Sequence, residues 1–171
     1  MTTGPSSKTP ETVGSKLLKQ HWAEQFLFKE ARLIDQRQFT AWEDLWDETG
    51  AYWVPANGDA SDPERDVSLI YDNRARLHTR IERYVHEFAH SQNPPPRTCR
   101  VISNIELDLQ PDLWVVNSTF HLTESRTGVQ IEWAGRTLHH LVERDQQLLI
   151  QFKKVLLVNN DQELTTLDFL L

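Results

Sequence analysis

The sequence predicts an α+β domain, with helices first and then a meander of long antiparallel strands, the helices packed on one face of the sheet. Three observations carry this. Up to about residue 85 apolar residues recur at three- and four-residue steps, the helical period. After Pro94-Pro95-Pro96, which no helix can cross, the period switches to two. Six tryptophans are spread over both halves, and large rings suit a curved sheet folded around a helix.

Met1 to Gly14 is Thr, Ser, Pro and Gly with little that is apolar, and reads as a disordered, solvated tail before a single domain over residues 15–171. From Ser15, a suitable N-cap, Leu18, Trp22, Phe26, Leu27, Ala31 and Ile34 share a broad helical face as far as Gln36. A second helix should hold Phe39, Trp42, Leu45 and Trp46 and stop at Gly50, and Ala51–Pro55 should be a short strand. Asn57-Gly58 and Asp62-Pro63 mark a loop. A third helix should carry Leu69, Ile70, Leu77, Ile81 and Val85, with Arg74, Arg76, Arg80 and Arg83 between them. Strands are then predicted at Val101–Leu109, Trp114–Glu124, Ile131–Glu143 and Leu148–Val158, separated by Pro111-Asp112, Thr127-Gly128 and Asp145–Gln147. Leu164–Leu171 is short and apolar, and either docks on a partner or completes the chain's own sheet.

Composition narrows the function. With 25 acidic and 18 basic residues the net charge is −7, which argues against nucleic acid or an anionic membrane as partner. A lone cysteine, Cys99, rules out an internal disulfide and any multi-cysteine zinc or iron–sulfur site in these residues, and suits a cytoplasmic setting. No apolar run is long enough to span a bilayer, and no secretory signal is evident.

The loudest motif is His86-Glu87-Phe88-Ala89-His90, an H-E-x-x-H that on a helix would set two histidines on one face for Zn²⁺, with the glutamate activating water. A third ligand is missing where the extended motif wants it: Asn93 and Pro96 stand in place of Gly and His, and Glu106 belongs to a predicted strand. A surface helix end explains the segment better. His139-His140 lies on a strand, so the rings point to opposite faces and cannot share an ion. Asp35, Asp72 and His121 could line a concave pocket as an acid–base set, or make ordinary caps and ion pairs. Lys153-Lys154 reads as the charged edge of a strand, and Cys99 between Arg97 and Arg100 as a buried structural thiol. No catalytic, cofactor-binding or metal residues are assigned.

Several stretches, in order, resemble one family. Phe26–Asp35 resembles an opening "FLYxEARLLD" helix, Phe39 to Trp46 the element after it, and Tyr52-Trp53-Val54-Pro55 a "YWxP" strand. Asp66–Asp72 resembles "xxSLxYD", Asn93–Thr98 with Ser103-Asn104-Ile105 resembles "PPSRT…SNV", and Lys153–Leu157 with the apolar end resembles the benzoate-type branch. These belong to the small, or β, subunits of Rieske-type aromatic-ring-hydroxylating dioxygenases. His86-Glu87 and Pro96 depart from the pattern. The resemblance implies a cone of the NTF2-like, cystatin-like kind and a non-catalytic structural role beside a catalytic α subunit in an α3β3 hexamer, with β subunits also self-associating. It implies that the Rieske [2Fe–2S] cluster and the mononuclear Fe(II) sit in the α subunit, with none in this chain. The holoenzyme would dihydroxylate an aromatic ring with O₂ and NAD(P)H. The arginine-rich third helix, Pro94–Arg97 and Leu164–Leu171 are the expected subunit contacts. Three alternatives stay open: an isomerase or dehydratase of the same fold with an acid–base pocket, a zinc hydrolase through His86, Glu87 and His90, and a bare binding module that differs from the first reading only in its partner.

Overall fold

A computed structural model of the chain describes residues 13–59, 62–85, 94–162, 167 and 169–171. The predicted tail through residue 12 and the segment 86–93, with His86, Glu87 and His90, lie outside the described residues.

The elements run α1 (Val13–Asp35), α2 (Phe39–Glu43), β1 (Trp46–Pro55), β2 (Ser68–Asn73), α3 (Arg74–Val85), β3 (Arg97–Gln110), β4 (Leu113–Arg126), β5 (Val129–Arg144) and β6 (Gln147–Leu157). The six strands form one sheet in the order β2-β1-β6-β5-β4-β3. The chain is therefore α+β, and the meander from β3 to β6 is antiparallel as predicted. β1 departs from it: it runs parallel to β6, with Tyr52 opposite Lys153 and Trp53 opposite Lys154.

Register shifts in β1 and at Ser103/Glu106 and His140/Leu141 curve the sheet. Asn104, at φ 50, supplies the left-handed turn of one of them. α1 lies across the inner face; Gln20 Nε2 donates to the Ile105 carbonyl of β3 at 3.0 Å. Trp42, Trp46, Trp114 and Trp133 fill the core with Tyr52, Leu77 and Leu141. Gly135 is where β5 passes closest to its neighbours: a Cβ there would meet the Leu156 carbonyl oxygen at 2.4 Å and the Phe120 ring at 2.8 Å.

Four predicted boundaries are corrected. α1 starts at Val13, so Val13 and Gly14 belong to the helix and Ser15 lies inside it. α2 is a turn and a half, and Trp46 already belongs to β1. Gly50 is not a helix stop: it sits in the β1 irregularity, where a Cβ would press within 2.9 Å of both the Asp47 oxygen and the Trp46 ring. Leu69 and Ile70 are in a strand, because Ile70 and Asp72 alternate inward against Val54 and Tyr52 of β1. Asn73 then caps α3, its Oδ1 accepting from the Arg76 N–H at 3.0 Å.

Candidate functional site

Three adjacent strands each place one inward residue on a single rung. Tyr52 of β1 is opposite Lys153 of β6, and Lys153 is opposite His139 of β5. All three are buried. Their α1 partner is Glu30, also buried because it lies on the helix face that carries Phe26, Leu27, Leu33 and Ile34. Glu30 Oε1 accepts from Lys153 Nζ at 2.8 Å and from Trp42 Nε1 at 3.2 Å, while Oε2 lies 3.0 Å from His139 Nε2. An ionised carboxylate can only accept, so the histidine proton facing it sits on Nε2.

Burial alone would raise the Glu30 carboxyl, but the Lys153 charge and then His139 outweigh it and hold the group well below the usual carboxylate range. Burial lowers the Lys153 ammonium, with Glu30 opposing. Burial raises the Tyr52 hydroxyl above its ordinary value.

The closing segment of the chain covers this rung. The Leu171 carbonyl oxygen accepts from Lys153 Nζ at 2.8 Å and from the Tyr52 hydroxyl at 3.3 Å, and the Leu171 N–H donates back to Tyr52 at 3.2 Å. The Leu170 oxygen accepts from Arg100 Nη2 at 2.8 Å. Phe169 meets Trp133 edge-on, with centroids 5.6 Å apart. What remains open inside is a cavity of about 20 Å³ lined by Glu30, Arg100, Ser118, Thr137, His139 and Lys153. That volume admits about one water molecule. His139 Nδ1 and Arg100 Nη1 are buried there without a protein partner. The arrangement can hold buried charge in place; as it stands it cannot admit a substrate.

A sequence model of the ring hydroxylating beta subunit matches residues 29–162, most of the chain. The chain belongs to that family. This β subunit is 31% identical over 141 residues to the 2-halobenzoate 1,2-dioxygenase small subunit of Burkholderia cepacia, covering 79% of this chain and 86% of the relative. It is similar to the crystal structure of the benzoate 1,2-dioxygenase β subunit of Burkholderia mallei, at TM-score 0.69 and 26% identity, covering 90% of this chain and 95% of that one. An NTF2-like protein with a cystatin-like fold from Novosphingobium aromaticivorans shares the fold alone, at TM-score 0.58 and 10% identity over 88% of this chain and 93% of that one. The fold class is thus the NTF2-like cone expected from the resemblance, and the relatives are small subunits of oxygenase complexes.

The β subunit does not collect Asp35, Asp72 and His121 into one pocket. Asp35 ends α1, where it accepts from Thr98 Oγ1 at 2.8 Å and the Arg100 N–H at 2.9 Å. Asp72 pairs with Arg80 of α3. His121 stands on the outer face beside Glu132, 3.4 Å away. Alternation along β4 explains this, since Phe120 and Leu122 point inward. His139 and His140 do face opposite ways, His139 to Glu30 and His140 to the Phe152 ring.

Other expectations are corrected. Cys99 is exposed on β3 rather than buried. Lys153 is not a charged edge: it is buried, and only Lys154 reaches outward, to Asp59. Phe169–Leu171 seats in this chain's own core without joining the sheet. Three of the four arginines on α3 are engaged within the subunit, Arg74 by Glu43, Arg80 by Asp72 and Arg76 by the Tyr71 carbonyl. Among the described residues no group of three His, Cys, Asp or Glu side chains could hold a metal ion.

Glu30, Tyr52, His139 and Lys153 went unrecognised as a set. Lys153 reads as part of a charged strand edge and His139 as half of a divided pair, and only the strand register brings the four together. A signal did exist: three of the four lie in stretches quoted for the family resemblance, and Lys153 is a lysine at an inward phase of an apolar strand.

Proposed function

We propose that this β subunit is a structural, non-catalytic part of the terminal oxygenase component of an aromatic-ring dioxygenase, and that it stabilises a catalytic α subunit. The observation that carries the reading is the filled cone. Its buried acid, base and ammonium are engaged with one another and with the chain's own closing segment, where a pocket enzyme of this fold would need room for substrate. In the same reading the Rieske cluster and mononuclear iron belong to the α subunit. The described residues offer them no fit, with one exposed cysteine and no ligand trio among them. An α3β3 assembly in the cytoplasm, acting on a small aromatic acid with electrons from NAD(P)H, completes it.

The surface supports a covered state. Leu17, Leu18, Trp22 and Phe28 of α1 are 65%, 50%, 50% and 40% exposed, an apolar surface on one helix that a partner subunit would cover. Tagged chain recovered from its native host grown on an aromatic carbon source should bring down a larger, brown, iron-containing chain in equal amount. Recovery alone, as a self-contained oligomer that turns over or binds a small ligand, would replace this reading with the isomerase or dehydratase one.

A further inference from the structure

Every exposed residue of α1 is apolar, basic or neutral, in a chain that carries 25 acidic residues against 18 basic. The three acids of the helix are engaged elsewhere. Glu30 is buried, Glu24 accepts from Gln20, and Asp35 is taken by Thr98 and Arg100 of β3. Lys29 and Arg32 stand exposed three positions apart, neighbours on the outer surface of the helix. Among the described residues no carboxylate is paired with either. By contrast, Arg74, Arg80 and Arg144 are each matched to an acid of this chain.

Beside these cations lies an open groove of about 370 Å³, walled by Trp22, Gln25, Phe26 and Lys29 of α1 and by Gln146 and Leu148 at the β5–β6 turn. None of its lining residues is acidic. Trp22 is half exposed, yet its ring is held by stacking on Trp114, with centroids 6.5 Å apart and planes 8° apart. A ring already held on one face and open on the other loses little freedom when a partner covers it, which suits an interface anchor.

We propose that this face of α1 seats an acidic amphipathic segment of the catalytic subunit. One apolar side chain of that segment enters the groove against Trp22 and Leu148, and its carboxylates meet Lys29 and Arg32. The inference rests on the structural role proposed above, and adds to it the surface used and the chemistry of the partner. A second copy of this chain is the poorer occupant. A two-fold contact of this face with itself would set cation against cation with no acid between them.

The complex of this chain with the larger, iron-containing chain tests the inference. It is treated with a zero-length carbodiimide, which joins amines to carboxylates, and mapped by mass spectrometry. Lys29 should be joined to Asp or Glu residues of the larger chain. Lys29 joined only to another copy of this chain, or left unjoined, would overturn the inference while the structural role stands. Failure to recover any larger chain would instead remove that role, and this inference with it. Substitutions then separate charge from shape. Lys29→Glu/Arg32→Glu should weaken association with the larger chain about tenfold or more, whereas Lys29→Arg/Arg32→Lys should leave it unchanged. Trp22→Ala should weaken it about thirtyfold. A folded charge-reversed or Trp22→Ala variant that associates normally would also overturn the inference. If those variants do not fold, the carbodiimide map decides alone.

Discussion

Three pairs of neighbours in sequence are split by the sheet: Tyr52 from Trp53, His139 from His140, and Lys153 from Lys154. The inward members form the buried rung under Glu30. The outward members form a looser group, in which Lys154 lies over the Trp53 ring and reaches Asp59, and Phe152 packs against both Trp53 and His140. Aromatic, imidazole and ammonium occur on both sides, so residue type cannot explain the difference. Phase does. A residue one position along a strand changes to the other face of the sheet, and with it the energetics of its charge. Inside, Lys153 and Glu30 are 4% and 5% exposed and each depends on the other. Outside, Asp59 is 63% exposed and water shares the work.

The widest gap between the two faces should come from the lysines. Lys153→Met leaves Glu30 buried without its cation and should cost about 3–5 kcal/mol in equilibrium urea denaturation. Lys154→Met should cost about 1 kcal/mol or less. Equal losses would break the comparison outright.

The carboxylates sharpen it through pH. Glu30 is held below the ordinary carboxylate range in the folded chain, so the unfolded chain binds its proton more readily. The stabilisation is therefore complete above that range and drains away as pH falls through it. Glu30→Gln should cost about 3 kcal/mol near neutrality, with the gap to the unsubstituted chain closing on acidification. Asp59 is lowered as well, chiefly by its hydrogen bond from Lys154, but its exposure should leave Asp59→Asn with little effect at any pH. Denaturation midpoints measured from neutral to acid pH for both variants check this.

The histidines come next. His139→Ala removes the donor to Glu30 Oε2 and opens a void, and thermal unfolding should register a loss of about 2 kcal/mol. His140→Ala, half-buried against Phe152, should lose about 1 kcal/mol or less. The smallest difference is expected at the aromatic pair. Tyr52→Phe gives up the bonds to Leu171, about 1 kcal/mol, and should speed exchange at the closing segment. Trp53→Phe gives up its part-buried bond to Ser68 and some of its contact with Lys154 and Phe152, and should leave that segment unchanged.

The same split explains what the sequence made legible. Periodicity found the four-strand meander because period two is local, and it found α1 because three- and four-step spacing is local too. It misplaced Leu69 and Ile70, whose spacing fits a helix turn as well as a strand and is decided by pairing with β1. It missed the parallel β1–β6 pairing for the same reason: nothing near Tyr52 announces Lys153. The rung is a property of register, whereas the pairs that stand together in sequence, His139-His140 and Lys153-Lys154, are the ones the pleat separates. Asp35, Asp72 and His121 are all of titratable residue types but serve three unconnected local contacts.

The parallel pairing of β1 with β6 also sets a timetable. Tyr52 emerges from the ribosome roughly a hundred residues before the lysine opposite it, and at ordinary elongation rates β1 waits roughly 5–20 s for its neighbour. During that interval β1 can pair with β2 but its edge towards β6 stays open. Sheet closure is therefore a late, long-range event, and slow for its size. A nascent chain halted before β6 should be the form most prone to aggregate and most in need of a chaperone.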